Sequence, residues 1–201
     1  MNFYELKNYS DKNKYLLSTI PKATEDYISA RCLIINGILN NGLILVKESI
    51  DKYLKAYIWI NDEKFDPRGK SFSLEELVER AKKNRLDLSI YNGLIRKISE
   101  FYKLRYTDNL FKLQEYKPED LYEIDSLIIY LNNSLNLPHE IKFRILGIEH
   151  YISFDLANSI DTPKNQYLKW LEENNKPVKG LIKKLEPEYI AFKRSLTPYP
   201  L

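Results

Sequence analysis

Apolar residues recur every three or four positions along almost the whole of this chain, which is the period of an α-helix. Residues 27–58 show it most plainly. Tyr27, Ala30, Ile34 and Ile38 form one stripe. Its helix can start near Thr24, with Glu25 and Asp26 at the positive end of the helix dipole. Leu43, Val46, Ile50, Leu54 and Tyr57 form a second stripe, so the pattern predicts two helices folded back across Asn40-Asn41-Gly42. The polar side of the second helix offers Glu48 to Lys52 and Asp51 to Lys55, both in the favourable i to i+4 order.

Asp66-Pro67-Arg68-Gly69 predicts a loop, and Ser73-Leu74-Glu75-Glu76 a capping box opening a third helix. That helix carries Leu77, Ala81 and Leu88, then Leu94, Ile98 and Tyr102, with a bend expected at Gly93. After a connection at 109–117, Pro118 suits a first helical turn, and Leu121, Ile124, Leu127, Ile128 and Leu131 make a fourth stripe. Asn136-Leu137-Pro138 restarts the pattern with Ile141, Ile145, Ile148, Ile152 and Leu156. Further helical segments follow Asp161-Thr162-Pro163 and Pro177. The fold class is therefore all-α: an up-and-down helical bundle over 1–136, with a helical C-terminal extension, 137–201, expected to pack on it.

Composition changes this picture little. The chain has 201 residues, 44% hydrophobic and 29% charged, long enough to bury a core and too apolar for global disorder. A net charge of +3 does not by itself argue for nucleic acid. Cys32 cannot form an intrachain disulfide and is expected to be a small core residue. Glu5 and Lys7 stand where a secretory signal would need an apolar stretch, and no apolar run approaches a membrane span. The expectation is a cytoplasmic protein without a membrane partner.

Two segments carry a family resemblance. The helical hairpin with Glu48-Ser49-Ile50-Asp51-Lys52-Tyr53-Leu54-Lys55-Ala56 on its second helix resembles HEPN domains, as does Tyr102-Lys103-Leu104-Arg105-Tyr106-Thr107-Asp108, similar to the family's Arg-Tyr-x-Asp. The resemblance covers about residues 20–136. Many relatives carry His-Asp-Leu where this chain has Leu86-Asp87-Leu88, so the polar contact of that histidine is missing. What the resemblance implies is a bundle that often forms a homodimer, found in toxin–antitoxin and defence ribonucleases and in non-catalytic RNA- or nucleotide-binding proteins. It further implies, in catalytic members, a metal-independent ribonuclease motif of Arg followed four to six residues later by His. Arg144 and His150 match that spacing. In such a site the imidazole would move protons and the guanidinium would stabilise charge on the phosphate. Against it, Ile145 replaces the polar residue that often follows the Arg, and a six-residue step sets the two side chains about 120° apart on a regular helix. The plainer reading pairs Arg144 with Glu140 and puts His150 at the rim of an apolar stripe.

No metal or other cofactor is expected: His139 and His150 share a helix face but would lie ~16 Å apart at ~1.5 Å per residue. Arg96, Lys97, Lys103, Arg105 and Tyr106 form a basic, aromatic cluster that could hold phosphates and stack bases. Lys179, Lys183, Lys184, Lys193 and Arg194 form another. The plainer reading, favoured for both, is a solvated basic face. For Arg105 the better expectation is a structural pair with Glu48 or Asp51. Three functions follow: an RNA- or nucleotide-binding module or antitoxin-type partner binder, a dimeric ribonuclease using Arg144 and His150, or a pure protein-interaction component.

Overall fold

The computed structural model describes residues 9–104, 120–137 and 141. They lie within Met1–Leu146, the first of two compact units; the second is Gly147–Leu201. The fold is all-α, with no strand among the described residues: α1 (Asp11–Ile35), α2 (Leu39–Asn61), α3 (Leu74–Lys83), α4 (Asn92–Leu104) and α5 (Asp120–Asn133). The expected packing of 137–201 concerns residues outside the described ones, apart from Leu137 and Ile141. Ile141 is fully buried.

Helix α2 is the hub, touching each of the other four. Its partner α1 runs antiparallel to it: Lys12 near the start of α1 donates to the Ile60 carbonyl near the end of α2 (3.3 Å). Helices α4 and α5 are likewise antiparallel. Lys97 meets Asp120 at the start of α5, whereas Tyr91, just before α4, packs on Tyr130 near its end. The four stripes read from the sequence supply the core. Tyr27, Ala30, Val46, Ile50, Leu54, Leu77, Ala81, Ile98, Ile124, Leu127 and Ile128 are all buried. Each large aliphatic side chain withdrawn from water contributes about 1.5–3 kcal/mol.

Helix α1 begins thirteen residues earlier than Thr24, at Asp11, capped by Ser10, whose hydroxyl accepts from the Asn13 amide (3.2 Å). Pro21 lies inside it. A proline normally ends a helix by removing one hydrogen bond. Here Leu16, Leu17 and Ile20 are buried on the same face as Tyr27, and that packing outweighs the lost bond. Asp26 is consequently no first-turn residue: it is buried and paired with Lys52 (2.8 Å).

The hairpin turn also differs from the expectation. It lies at Asn36-Gly37-Ile38, and Asn40, Asn41 and Gly42 belong to α2. Gly37 has φ 79°, its amide donates to Ile34 (3.0 Å) and that of Ile38 to Leu33 (2.9 Å), the paired bonds of a Schellman ending. Gly42 serves packing instead: a Cβ there would meet Ile34 Cγ1 at 2.5 Å and the Ala30 carbonyl at 3.1 Å. Cys32 is exposed rather than part of the core, on the side of α1 away from α2.

The third stripe is broken in two. Helix α3 stops at Lys83 and α4 starts at Asn92, so the chain turns at 84–91 rather than bending at Gly93. The same Schellman bonds recur, Arg85 amide to Lys82 (2.9 Å) and Leu86 amide to Ala81 (3.0 Å), but the left-handed position holds Arg85, φ 72°. A side chain there costs about 1–2 kcal/mol relative to glycine's freedom. Arg85→Gly is therefore expected to raise stability by about 1 kcal/mol, read as a higher urea midpoint at unchanged slope; a lower midpoint would contradict it.

Candidate nucleic-acid interface

Helix α4 turns Leu94, Ile95 and Ile98 to the core, which leaves Arg96, Glu100 and Lys103 facing solvent. At about 100° per residue, Arg96 and Lys103 share one side of the helix, two turns and ~10 Å apart. Lys97 flanks them toward α5. Each lysine meets a carboxylate from a neighbouring helix: Lys97 Nζ lies 2.6 Å from Asp120 Oδ2, and Lys103 Nζ lies 2.9 Å from Glu75 Oε1. Arg96 makes no ion pair among the described residues. Arg105 and Tyr106 lie outside them.

Glu75 is the better organised of the two acids. It occupies the first turn of α3, where Ser73 caps the helix by accepting from the Glu76 amide (3.1 Å). The expected capping interaction is thus present on the serine side. Ser99 Oγ donates to Glu75 Oε1 at 2.5 Å. The Ser99 hydrogen bond first, then Lys103 and the amide of Glu75 itself, pull the Glu75 carboxyl down to about 2. A depressed carboxylate adds stability above its unfolded pKa that is lost as pH falls through the folded value. Between the ordinary 4.5 and about 2, the wild type should therefore lose more stability than Glu75→Gln. Urea titrations at several pH values check this; parallel curves for the two proteins would refute it.

A second polar group lies where α2 meets α1 and α4. Glu48 pairs with Lys52 as expected (3.4 Å), and also accepts from the Tyr102 hydroxyl (3.3 Å). Asp51 departs from the expectation. It is buried, and it pairs with Lys47 (2.5 Å) four residues earlier instead of Lys55. The Lys47 ammonium also sits 4.3 Å from the Tyr102 ring centroid. Burial raises the Asp51 carboxyl above its ordinary range despite the hydrogen bond from Lys47. At Lys47 burial acts the other way, but the hydrogen bond and charge of Asp51 outweigh it and raise the ammonium's pKa. The carboxylate is the more deeply enclosed partner, so desolvation prevails there and not at the lysine.

The deepest polar group escaped sequence reading. Arg31 and Asp125 are 1% and 0% exposed, and Arg31 Nε lies 3.3 Å from Asp125 Oδ2. The Tyr27 hydroxyl donates to the other carboxylate oxygen. Burial first, and the Asp125 charge second, push the Tyr27 phenol well above its ordinary pKa, so it stays a donor. One layer away, Thr24 and Tyr53 hydroxyls meet at 2.8 Å and Ser49 donates to the Ala23 carbonyl at 2.7 Å. A signal existed: Arg31 is four residues from Tyr27, and Asp125 follows Ile124, so both stand on apolar stripes. These groups join helices and touch no solvent, which makes them architecture rather than a reactive centre.

Arg144 and His150 lie outside the described residues. Among the described residues no group of three or more His, Cys, Asp or Glu could hold a metal ion, and no helix is long and apolar enough to cross a membrane. No family model, no curated protein and no solved structure matches this chain. Function therefore has to be argued from the residues themselves, and α4 carries the most accessible recognition chemistry among them.

Proposed function

We propose that this chain is a HEPN-like binding module for RNA, with α4 as its contact face and Arg105 and Tyr106 continuing that face. The observation that carries the reading is the placement of Arg96, Lys97 and Lys103 on the outer side of one core-anchored helix. Rigid mounting matters because phosphate contacts position a nucleic acid as well as bind it. The ion pairs do not exclude this role. Exposed pairs of this kind are worth about 1 kcal/mol or less, so a phosphate can replace a carboxylate. The all-α bundle, with Glu48–Ala56 on the second helix of its hairpin, supports the resemblance at the level of architecture. From the resemblance alone come the setting, a toxin–antitoxin or defence system, and the homodimeric state with an antitoxin-type partner.

The test is fluorescence anisotropy with labelled mixed-sequence single-stranded RNA. Arg96→Ala/Lys97→Ala/Lys103→Ala is expected to weaken binding about tenfold or more near 0.1 M salt. It should also lower the slope of log K against log salt by about 2, at about 0.7 per phosphate contact on a single strand. Unchanged affinity in the triple variant would refute the α4 assignment. Incubating the same RNA in excess EDTA with the wild type, Arg144→Ala and His150→Ala tests the ribonuclease alternative. Cleavage by the wild type, lost in both variants, would replace the binding-module reading with the ribonuclease one.

A further inference from the structure

The two α4 lysines share a feature that a plain basic face would not require: each is met by an acid from a different helix. Glu75 comes from the first turn of α3 and holds Lys103, with Ser99 of α4 donating to the same carboxylate oxygen. Asp120 comes from the start of α5 and holds Lys97. Both lysines remain accessible, Lys103 at 68% and Lys97 at 36% of the side chain. The carboxylates therefore sit where incoming phosphates would have to sit. Arg96, on the same helix, carries no such acid among the described residues.

We infer that Glu75 and Asp120 are built-in competitors of RNA, holding Lys103 and Lys97 so that the α4 face binds single-stranded RNA more weakly than its residues allow. Rested on the binding reading above, this names which residues restrain the interface. Chemically it is an exchange of one oxyanion for another: a phosphate oxygen displaces a carboxylate oxygen from the ammonium, and no bond is made or broken. The competitor stays fully charged in ordinary buffers, since Ser99 and Lys103 keep the Glu75 carboxyl at about 2. Substitution is thus the way to remove it. Glutamine retains an oxygen able to accept from Ser99, so Glu75→Gln removes the charge and little else.

The experiment compares the wild type, Glu75→Gln, Asp120→Asn and the double variant by anisotropy with the same labelled RNA. Glu79→Gln is the control: it makes the same charge change on α3, where Glu79 pairs with Lys82 at 3.2 Å and not with α4. Circular dichroism melts confirm that each variant folds. Each interface substitution is expected to tighten binding about three- to tenfold at low salt. It should also steepen the salt slope by about 0.7, the signature of one more neutralised phosphate. The control should change the slope by much less. Three results overturn the inference. One is binding unchanged in Glu75→Gln and Asp120→Asn while the alanine triple weakens it, which leaves the α4 interface standing. Another is equal tightening by Glu79→Gln, which reduces the effect to net charge. The last is no binding by any variant, which removes the RNA reading along with the inference.

Discussion

Asp125→Ala should cost about 3–5 kcal/mol of folding free energy, the range for removing one partner of a buried ion pair. With Arg31 1% exposed, its guanidinium cannot reach water when its carboxylate is removed, and the Tyr27 hydroxyl loses its acceptor in the same step. The penalty is thus the cost of stranding buried groups, not the worth of the pair. For that reason Arg31→Met/Asp125→Leu, which removes both charges, should recover at least half of the loss. Urea unfolding of the two variants decides the matter. A cost below about 1 kcal/mol for Asp125→Ala would show that Arg31 does not depend on this carboxylate.

Gly42→Leu should cost about 3 kcal/mol or more, at the upper end for overpacking. The added Cβ alone would stand 2.5 Å from Ile34 Cγ1 and 3.1 Å from the Ala30 carbonyl, so α1 and α2 would have to separate. Gly42→Ala tests the same contact more gently, since alanine regains about 1 kcal/mol of helix propensity. Removing the obstructing side chain should reverse the sign. In Ile34→Ala/Gly42→Ala the two effects should be coupled by at least about 0.5 kcal/mol, in the direction of relief. Strict additivity would mean that the helices do not meet there.

The sequence was most legible where one signal stood without competition. The α2 stripe, the α5 stripe and the Ser73 cap appear where the pattern placed them, because each is a local rule satisfied by nearby residues. Reading failed where two local rules competed. Asn36-Gly37 and Asn40-Asn41-Gly42 are both acceptable turns. The choice went to the first because Gly42 was needed under Ile34, a contact between residues on different helices. Pro21 looked like a boundary, yet the buried face of Leu16, Leu17 and Ile20 carried α1 through it. Cys32 looked like core because its neighbours are apolar; its angular position on α1 instead turns it outward.

The candidate site divides in the same way. That Arg96, Lys97 and Lys103 would occupy one helix was readable from the chain. That Glu75 and Asp120 would come to hold two of them was not, since those acids lie 28 and 23 residues away. Buried charge was equally hidden: Arg31 and Asp125 are 94 residues apart, and each alone reads as an ordinary surface residue.

By itself, then, the sequence determined an all-α chain, the faces its main helices would bury, and a basic row on α4. Helical period and capping depend on residues three or four positions apart, so they are written locally. Tertiary structure alone decided where the hairpin turns, which lysines are held by acids, and that one arginine and one aspartate belong in the core. Those outcomes depend on which surfaces meet, and a pairing between distant segments is fixed by packing and desolvation rather than by any local pattern.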